Sequence, residues 1–263
     1  MDEVGKAKKS EKMEEKQIEL KNVNFSYNGK EVLKGISFSS KNEFLAIMGP
    51  NGSGKTTLIK LIIGFLKPNR GIIRVFGRKP SEARKYIGYM PQREVIAKHF
   101  PIRVKDIVLM GIKRKFYTRR DIEMAKKAIE EVGLLNLWDS KFNSLSQGQQ
   151  QRILFARAIV KDPKLIILDE PFNAVDLPSR DKMIEILTEK KKEGKEIIVV
   201  VHNINPILHE VDKILLLNKI KIAFGEPKEV LNQENLRRAY GTDVQIIVCE
   251  EGYCHPLIGD THA

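Results

Sequence analysis

The feature that most constrains the fold of this chain is a glycine-rich segment, Gly49-Pro50-Asn51-Gly52-Ser53-Gly54-Lys55-Thr56. It follows the apolar run Phe44–Met48 and leads into Thr56–Gly64, where apolar residues recur at helical spacing. Strand, glycine loop and helix are the context that the G-x-x-x-x-G-K-[ST] pattern requires. Glycines let backbone N–H groups face phosphate oxygens, and the helix start adds the positive end of its dipole. The sequence therefore predicts a nucleoside triphosphate site.

The residue types in this loop predict distinct roles towards ATP. The Lys55 ammonium should contact the β and γ phosphates, and the Thr56 hydroxyl can ligate Mg²⁺. The predicted nucleotide contacts in and next to the loop are Gly49, Pro50, Asn51, Gly52, Ser53, Gly54, Lys55, Thr56 and Thr57.

Two adjacent carboxylates, Asp169 and Glu170, follow a second apolar run, Leu165–Leu168. An apolar run of this length is typical of a buried parallel strand, and ligands of parallel sheets gather where the strands end. Asp169 is predicted to hold the magnesium ion through water. Glu170 is predicted to polarise the water that attacks the γ-phosphate.

A third motif, Leu145-Ser146-Gln147-Gly148-Gln149, stands before the apolar helical segment Gln150–Val160. Ser146 and the Gly148 N–H, ahead of a helix start, form a second edge that can bind an anion. The motif resembles the signature of the ABC ATPases, with Gln147 where glycine is usual. The resemblance implies that Ser146, Gly148 and Gln149 contact the ATP of a partner subunit, so that two chains form a homodimer around two nucleotides.

Further positions match that family in their order along the chain. By resemblance, Tyr27 stacks on adenine, Gln92 links Mg²⁺ to the membrane partner, Asn173–Asp176 is the D-loop, and His202 contacts the γ-phosphate and orients Glu170. The resemblance thus implies an ATPase whose catalytic residues are Lys55, Glu170 and His202.

Three residues depart from the family's commonest letters. They are Asn173 and Val175 in the D-loop and Asn203 after the histidine. These departures affect the detailed properties of the ATPase site and leave the assignment to the ABC ATPase class unchanged.

The predicted fold class is α/β. The expected architecture is a P-loop NTPase with a RecA-like core of mostly parallel strands, an antiparallel β subdomain and an inserted α-helical subdomain at about residues 94–158. Residues 1–16 alternate Lys and Glu and are predicted to be a disordered leader. Residues 17–242 would form the ATPase domain and residues 243–263 a C-terminal tail.

Charge and hydropathy limit where such a chain can act. The 263 residues carry a net charge of +12, and half of it lies between Arg103 and Lys127, with nine basic and three acidic residues. This stretch is either a solvated helical face or a surface facing anionic lipid. No apolar run approaches the roughly 20 residues that cross a bilayer. Two cysteines and no signal-peptide segment predict a cytoplasmic, reduced setting. The family resemblance implies a peripheral protein on the cytoplasmic face of the membrane.

The partners follow from the family resemblance. A detached ATPase with one cassette is typical of importers, which implies separate integral membrane permease subunits and, indirectly, a solute-binding protein. Three segments, Gly71–Gly77, Ile87–Arg93 and Phe100–Gly111, resemble the zinc and manganese importer branch. Iron chelates and cobalamin are the nearest alternative substrates. ABC-type ATPases of DNA maintenance are the alternative class, but the interval Thr57–Leu145 lacks their long coiled coil, so no nucleic acid partner is expected.

The C-terminal tail contains metal-binding residue types. Cys249, Cys254, His255 and His262 are ligands that zinc accepts, although their spacing fits no standard structural zinc pattern. The tail therefore holds either a metal site or incidental residues.

Overall fold

The computed structural model describes residues 17–92, 101–112, 114 and 116–257. The predicted leader, residues 1–16, lies outside the described residues, as do Arg93, Phe100 and His262. The strands of the described part are β1 (Ile18–Tyr27), β2 (Lys30–Ser40), β3 (Phe44–Met48), β4 (Arg70–Val75), β5 (Ile87–Met90), β6 (Leu165–Asp169), β7 (Glu196–Val200), β8 (Lys213–Asn218), β9 (Ile220–Gly225), β10 (Gln245–Val248) and β11 (Cys254–Leu257). The α-helices are α1 (Lys55–Ile63), α2 (Pro80–Ala83), α3 (Val104–Met110), α4 (Arg119–Glu131), α5 (Gln147–Ile159), α6 (Leu177–Lys192), α7 (Pro227–Val230) and α8 (Gln233–Tyr240).

Contacts along the chain divide it into two compact units. Unit 1 comprises Met1–Lys85 and Val200–Ala263, and unit 2 comprises Tyr86–Val199. The mixture of parallel strands, an antiparallel sheet and helices confirms the predicted α/β class.

An antiparallel sheet in unit 1 has β1 at its centre, paired with β2 on one side and β4 on the other. The turn between β1 and β2 is the two-residue Asn28-Gly29 loop, with φ of 47° and 81°. Two positive φ values suit Asn-Gly and match the twist of the strands that the loop joins. This sheet confirms the predicted antiparallel region.

A buried strand of unit 1, β3, leads into the glycine loop. All five residues of β3 are buried, and β3 pairs in parallel with β8, which pairs antiparallel with β9. Helix α1 buries its apolar face and ends at Gly64, whose φ of 81° suits a helix C-terminus. The sequence predicted β3 and the helix that follows the loop.

Unit 2 contains β5, β6 and β7 in that order, with β5 and β6 parallel. Three of its described helices, α4, α5 and α6, begin at side chains that bond the first turn. Thr118 accepts from the Asp121 N–H, Ser146 from the Gln149 N–H, and Asp176 from the Ser179 N–H. The Thr118 N–H and hydroxyl in turn donate to the Asp121 carboxylate, and these bonds lower the pKa of Asp121 below its ordinary value. Side-chain caps of this kind satisfy N–H groups that a helix start leaves without partners.

Helix α5 begins earlier than the sequence analysis expected. The predicted start was near Gln150, but the helix runs from Gln147, with Ser146 as its N-cap. Gly148 therefore lies inside the first turn, not ahead of the helix. The reason is a capping box, in which the Gln149 side chain accepts from the Ser146 N–H at 3.0 Å.

The basic stretch contains cations with nearby partners. Arg103 and Lys105 both contact the Asp139 carboxylate, at 3.1 and 2.5 Å. Arg114 lies 3.1 Å from Asp121. Local pairing of this kind is typical of a solvated surface. Among the described residues, none of the helices has both the length and the apolar character needed to cross a membrane.

Candidate functional site

The glycine loop adopts backbone conformations that only glycine reaches without strain. Gly49 has a φ of 150°, and a Cβ there would lie 1.9 Å from the Leu217 carbonyl oxygen. Gly54 has a φ of 100°, and a Cβ there would lie 2.6 Å from Leu33 Cδ2. Gly52 also has a positive φ, of 75°, but a Cβ there would meet no atom within 4 Å. The outer glycines therefore allow close packing, whereas Gly52 supplies only the turn.

Gly49→Ala is expected to destabilise the fold strongly, because the backbone carbonyl of Leu217 cannot move aside as a flexible side chain would. We expect the free energy of unfolding to fall by more than about 3 kcal/mol. The matched variant Gly52→Ala should lose only about 1–2 kcal/mol, the cost of the left-handed conformation. Chemical denaturation of both variants measures the difference. Equal losses would show that the close approach to Leu217 does not matter.

Two side chains of the loop face inward. Lys55 is 7% exposed, and its Nζ donates to the Gly49 oxygen at 2.7 Å and the Pro50 oxygen at 3.0 Å. Ser53 is 1% exposed, and its Oγ finds no hydrogen-bond partner within the described ranges. A buried hydroxyl left in this way is a donor that a phosphate oxygen can use. The loop is thus folded around a charged donor and a hydroxyl, as phosphate binding requires.

One residue distant in sequence also holds the loop and another lies beside it, and the sequence analysis predicted neither. The Lys219 N–H, next to the end of β8, donates to the Ser53 oxygen at 2.9 Å. Tyr240, the last residue of α8, lies beside Gly49. Burial raises the pKa of Tyr240 to about 12, and the Gly49 backbone opposes that rise. No local sequence pattern predicts these contacts, because they join segments that are far apart in the chain.

Two other predicted residues of unit 1 lie in different surroundings. Tyr27 is 43% exposed at the end of β1, with its ring edge-on to Phe25 at 4.8 Å. An exposed ring can stack on a base, whereas the ring of a tyrosine buried in the core cannot. His202 directly follows Val201, whose N–H donates to the Ile47 oxygen at 3.2 Å. That bond ties His202 to the end of β3, where the glycine loop begins.

The acidic pair of unit 2 lies at the end of β6, as predicted. Asp169 is 1% exposed and Glu170 is 8% exposed. Glu170 has a φ of 54°, a left-handed conformation that is uncommon outside glycine and frequent at functional sites. Gln92 Nε2 donates to Glu170 Oε2 at 2.7 Å. The structure therefore brings together two residues that the sequence analysis assigned to the site separately.

The signature segment packs against the D-loop. A Cβ on Gly148 would lie 2.9 Å from the Ala174 carbonyl oxygen, so the first turn of α5 approaches the loop after β6 closely. Ala174 itself has a φ of 59°. Ser146 is exposed, and the N–H groups of the first turn include that of Gly148. An exposed helix start of this kind can bind an anion.

The residues predicted to hold magnesium fit that ion chemically. Thr56, Asp169 and Gln92 offer a hydroxyl, a carboxylate and an amide oxygen, the hard oxygen ligands that Mg²⁺ prefers. Because an ionised carboxylate only accepts hydrogen bonds, the Gln92 amide must present its nitrogen to Glu170. That orientation turns the amide oxygen of Gln92 away from the carboxylate.

The hypothesis of a metal site in the tail gains no support from the structure. Strands β10 and β11 form an antiparallel hairpin that the sequence analysis did not predict. Cys254 is opposite Val248, and the Cys249 N–H donates to the Tyr253 oxygen. The two cysteines are therefore not directly opposite each other in the hairpin. No group of three or more metal-binding side chains occurs in the part of the chain that the structure describes.

The glycine loop after a buried strand and the acidic end of a parallel strand define a nucleoside triphosphatase of the P-loop class. Comparison with known proteins narrows the class. The family described as ABC transporter matches residues 33–173. The chain belongs to this family, and the matched domain is an ATP-binding ATPase.

Individual relatives match most of the chain. The manganese transport system ATP-binding protein MntB of Bacillus subtilis (strain 168) is 39% identical, over 85% of this chain and 92% of that protein. The zinc transport system ATP-binding protein TroB of Treponema pallidum (strain Nichols) is 37% identical, over 85% of this chain and 86% of that protein. Among solved structures, cbiO1 of Clostridium perfringens, part of the ABC transporter complex cbiONQ, superposes with a TM-score of 0.72 at 29% identity, covering 86% of this chain and 94% of that one.

Proposed function

We propose that this chain is the ATP-hydrolysing subunit of an importer that carries a divalent transition metal, zinc or manganese, into the cell through a separate membrane permease. The observation that carries the proposal is the match of most of the chain to ATP-binding proteins named for manganese and zinc transport. The segments resembling the zinc and manganese branch support the same substrate.

The proposed catalytic roles follow from the chemistry of each side chain. Lys55 binds the β and γ phosphates, Glu170 accepts a proton from the attacking water, and His202 contacts the γ-phosphate. Thr56, Gln92 and Asp169 would hold Mg²⁺. When bound, that ion neutralises charge that develops on the phosphate oxygens.

ATP is proposed to join two copies of the chain. The signature edge at Ser146, Gly148 and Gln149 offers N–H and hydroxyl donors besides those of the glycine loop. We infer that this edge contacts the nucleotide of the second copy, while Tyr27 stacks on the adenine of its own nucleotide. Binding then closes the pair and hydrolysis reopens it. At the cytoplasmic face of the membrane, the pair acts on the integral membrane permease, which converts this cycle into transport. A solute-binding protein delivers the metal to the permease.

The substrate proposal is tested by metal accumulation in cells that lack this subunit. We expect a several-fold loss of cell-associated zinc or manganese, restored by the intact chain and not by its Glu170→Gln variant. Iron content serves as the internal control and should stay unchanged. Unaltered zinc and manganese would contradict the proposal. A loss confined to iron or cobalamin would move the chain to the alternative importer branch, and stimulation of the ATPase by DNA would favour the DNA-maintenance class.

A further inference from the structure

Asn173, one of the positions that depart from the commonest D-loop letters, contacts the proposed catalytic carboxylate directly. Its Nδ2 donates to Glu170 Oε2 at 2.8 Å. Gln92 Nε2 donates to the same oxygen at 2.7 Å. Two amides from different segments therefore meet at one oxygen of Glu170.

The shared acceptor has a chemical consequence. A carboxylate oxygen has two in-plane lone pairs, and two amide donors use both of them on Oε2. A proton taken from water must then go to the other oxygen, Oε1. The two donors also fix the rotation of the carboxylate, which sets the direction in which Oε1 faces.

The loop that carries Asn173 is held at both of its ends. Glu170 has a φ of 54° at the start, and the Asp176 side chain caps α6 at the far end by accepting from the Ser179 N–H at 3.2 Å. Between them, the Val175 N–H donates to the Phe172 oxygen at 3.3 Å. A short loop fixed in this way leaves the Asn173 amide little freedom to turn from Glu170.

We propose that Asn173 is a positioning residue for ATP hydrolysis, which together with Gln92 holds Glu170 Oε2 so that Oε1 serves as the proton acceptor. This inference rests on the proposed role of Glu170 as the base. In this role, Asn173 orients the catalytic carboxylate of its own chain. The Asn173 bond would hold Glu170 whether or not Gln92 serves as a Mg²⁺ ligand, because Asn173 is not among the residues proposed to hold that ion.

The test compares ATP hydrolysis by variants of the full chain at saturating ATP and Mg²⁺. Asn173→Ala should lower kcat about tenfold, the effect of losing one hydrogen bond to a charged group. The KM for ATP should not change, because the amide bonds Glu170 and not the nucleotide. Asn136→Ala, an exposed asparagine in the same unit, is the matched control and should keep both constants. Since Asn173 is exposed as well, neither change should lower the unfolding temperature.

Two further variants separate a positioning role from a general structural one. Asn173→Asp replaces the amide donor by a carboxylate, which cannot donate to Glu170 Oε2 and places a second negative charge beside it. Its kcat should therefore be lower than that of the alanine variant, with the KM for ATP unchanged. In a Glu170→Gln background, Asn173→Ala should cause no additional loss.

The remaining outcomes test the role of Asn173 and the role of Glu170 separately. If Glu170→Gln abolishes turnover but Asn173→Ala keeps the original kcat, the inference about Asn173 is wrong and the base assignment stands. An additional loss in the Glu170→Gln background would also overturn it, since Asn173 would then act elsewhere. If Glu170→Gln hydrolyses ATP at the original rate, the proposed base itself is wrong.

Discussion

Glu170→Gln should bind ATP as tightly as the original chain while losing hydrolysis by at least about 100-fold, the usual contribution of a general base. The amide oxygen of the new glutamine can still accept from Gln92 and Asn173, so the local hydrogen bonds and the fold should persist. What is lost is the ability to accept a proton from water. Single-turnover hydrolysis and equilibrium binding of ATP measure the two effects separately.

The same variant should accumulate as an ATP-bound dimer, because closure needs ATP and reopening needs hydrolysis. Size-exclusion chromatography with ATP and Mg²⁺ detects this state. Glu130→Gln, an exposed glutamate of α4, is the matched control and should hydrolyse normally without trapping a dimer. Turnover by Glu170→Gln at the original rate would contradict the assigned base, and a monomer saturated with ATP would contradict the proposed pairing.

Lys55→Ala should instead weaken nucleotide binding. The Lys55 ammonium is buried and bonded to the carbonyl oxygens of Gly49 and Pro50, within the loop that receives the phosphates. Losing one charge-assisted contact of this kind should raise the Kd for ATP roughly 10- to 100-fold. The rise in unfolding temperature that ATP produces should shrink accordingly, since ligand stabilisation follows the ratio of ligand concentration to Kd.

Lys67→Ala is the control for this variant, because Lys67 is an exposed lysine of the same unit, outside the loop. It removes the same charge and should leave the Kd unchanged. The comparison separates a specific phosphate contact from a general effect of the net charge of +12. An unaltered Kd in Lys55→Ala would show that the ammonium remains on the loop carbonyls when ATP is bound.

The sequence predicted features that depend on neighbouring residues. The glycine loop was identifiable because positive φ and close backbone approach require glycine at fixed positions, here Gly49 and Gly54. The acidic pair was identifiable because an apolar run of strand length precedes Asp169. The start of α5 was also within reach, since Ser146 and Gln149 have the spacing of a capping box. The apolar periodicity alone, without the capping box, places the helix start three residues late, at Gln150.

Other features depend on residues far apart in the chain. Gln92 and Glu170 are 78 positions apart, yet their side chains bond at 2.7 Å. Nothing in either local segment specifies which oxygen of Glu170 receives the amide, or that Asn173 shares it. The place of Tyr240 beside Gly49 is equally non-local, because it follows from how α8 packs in unit 1.

The sequence by itself thus determined the class of protein, the phosphate-binding loop and the identity of the acidic pair, because each is set by a short run of residue types with fixed spacing. Only the tertiary structure decided how the carboxylate of Glu170 is held and which residues beyond the motifs support the loop. The physical reason is that a hydrogen bond needs two groups within about 3 Å in one orientation, and packing alone brings distant segments to that distance.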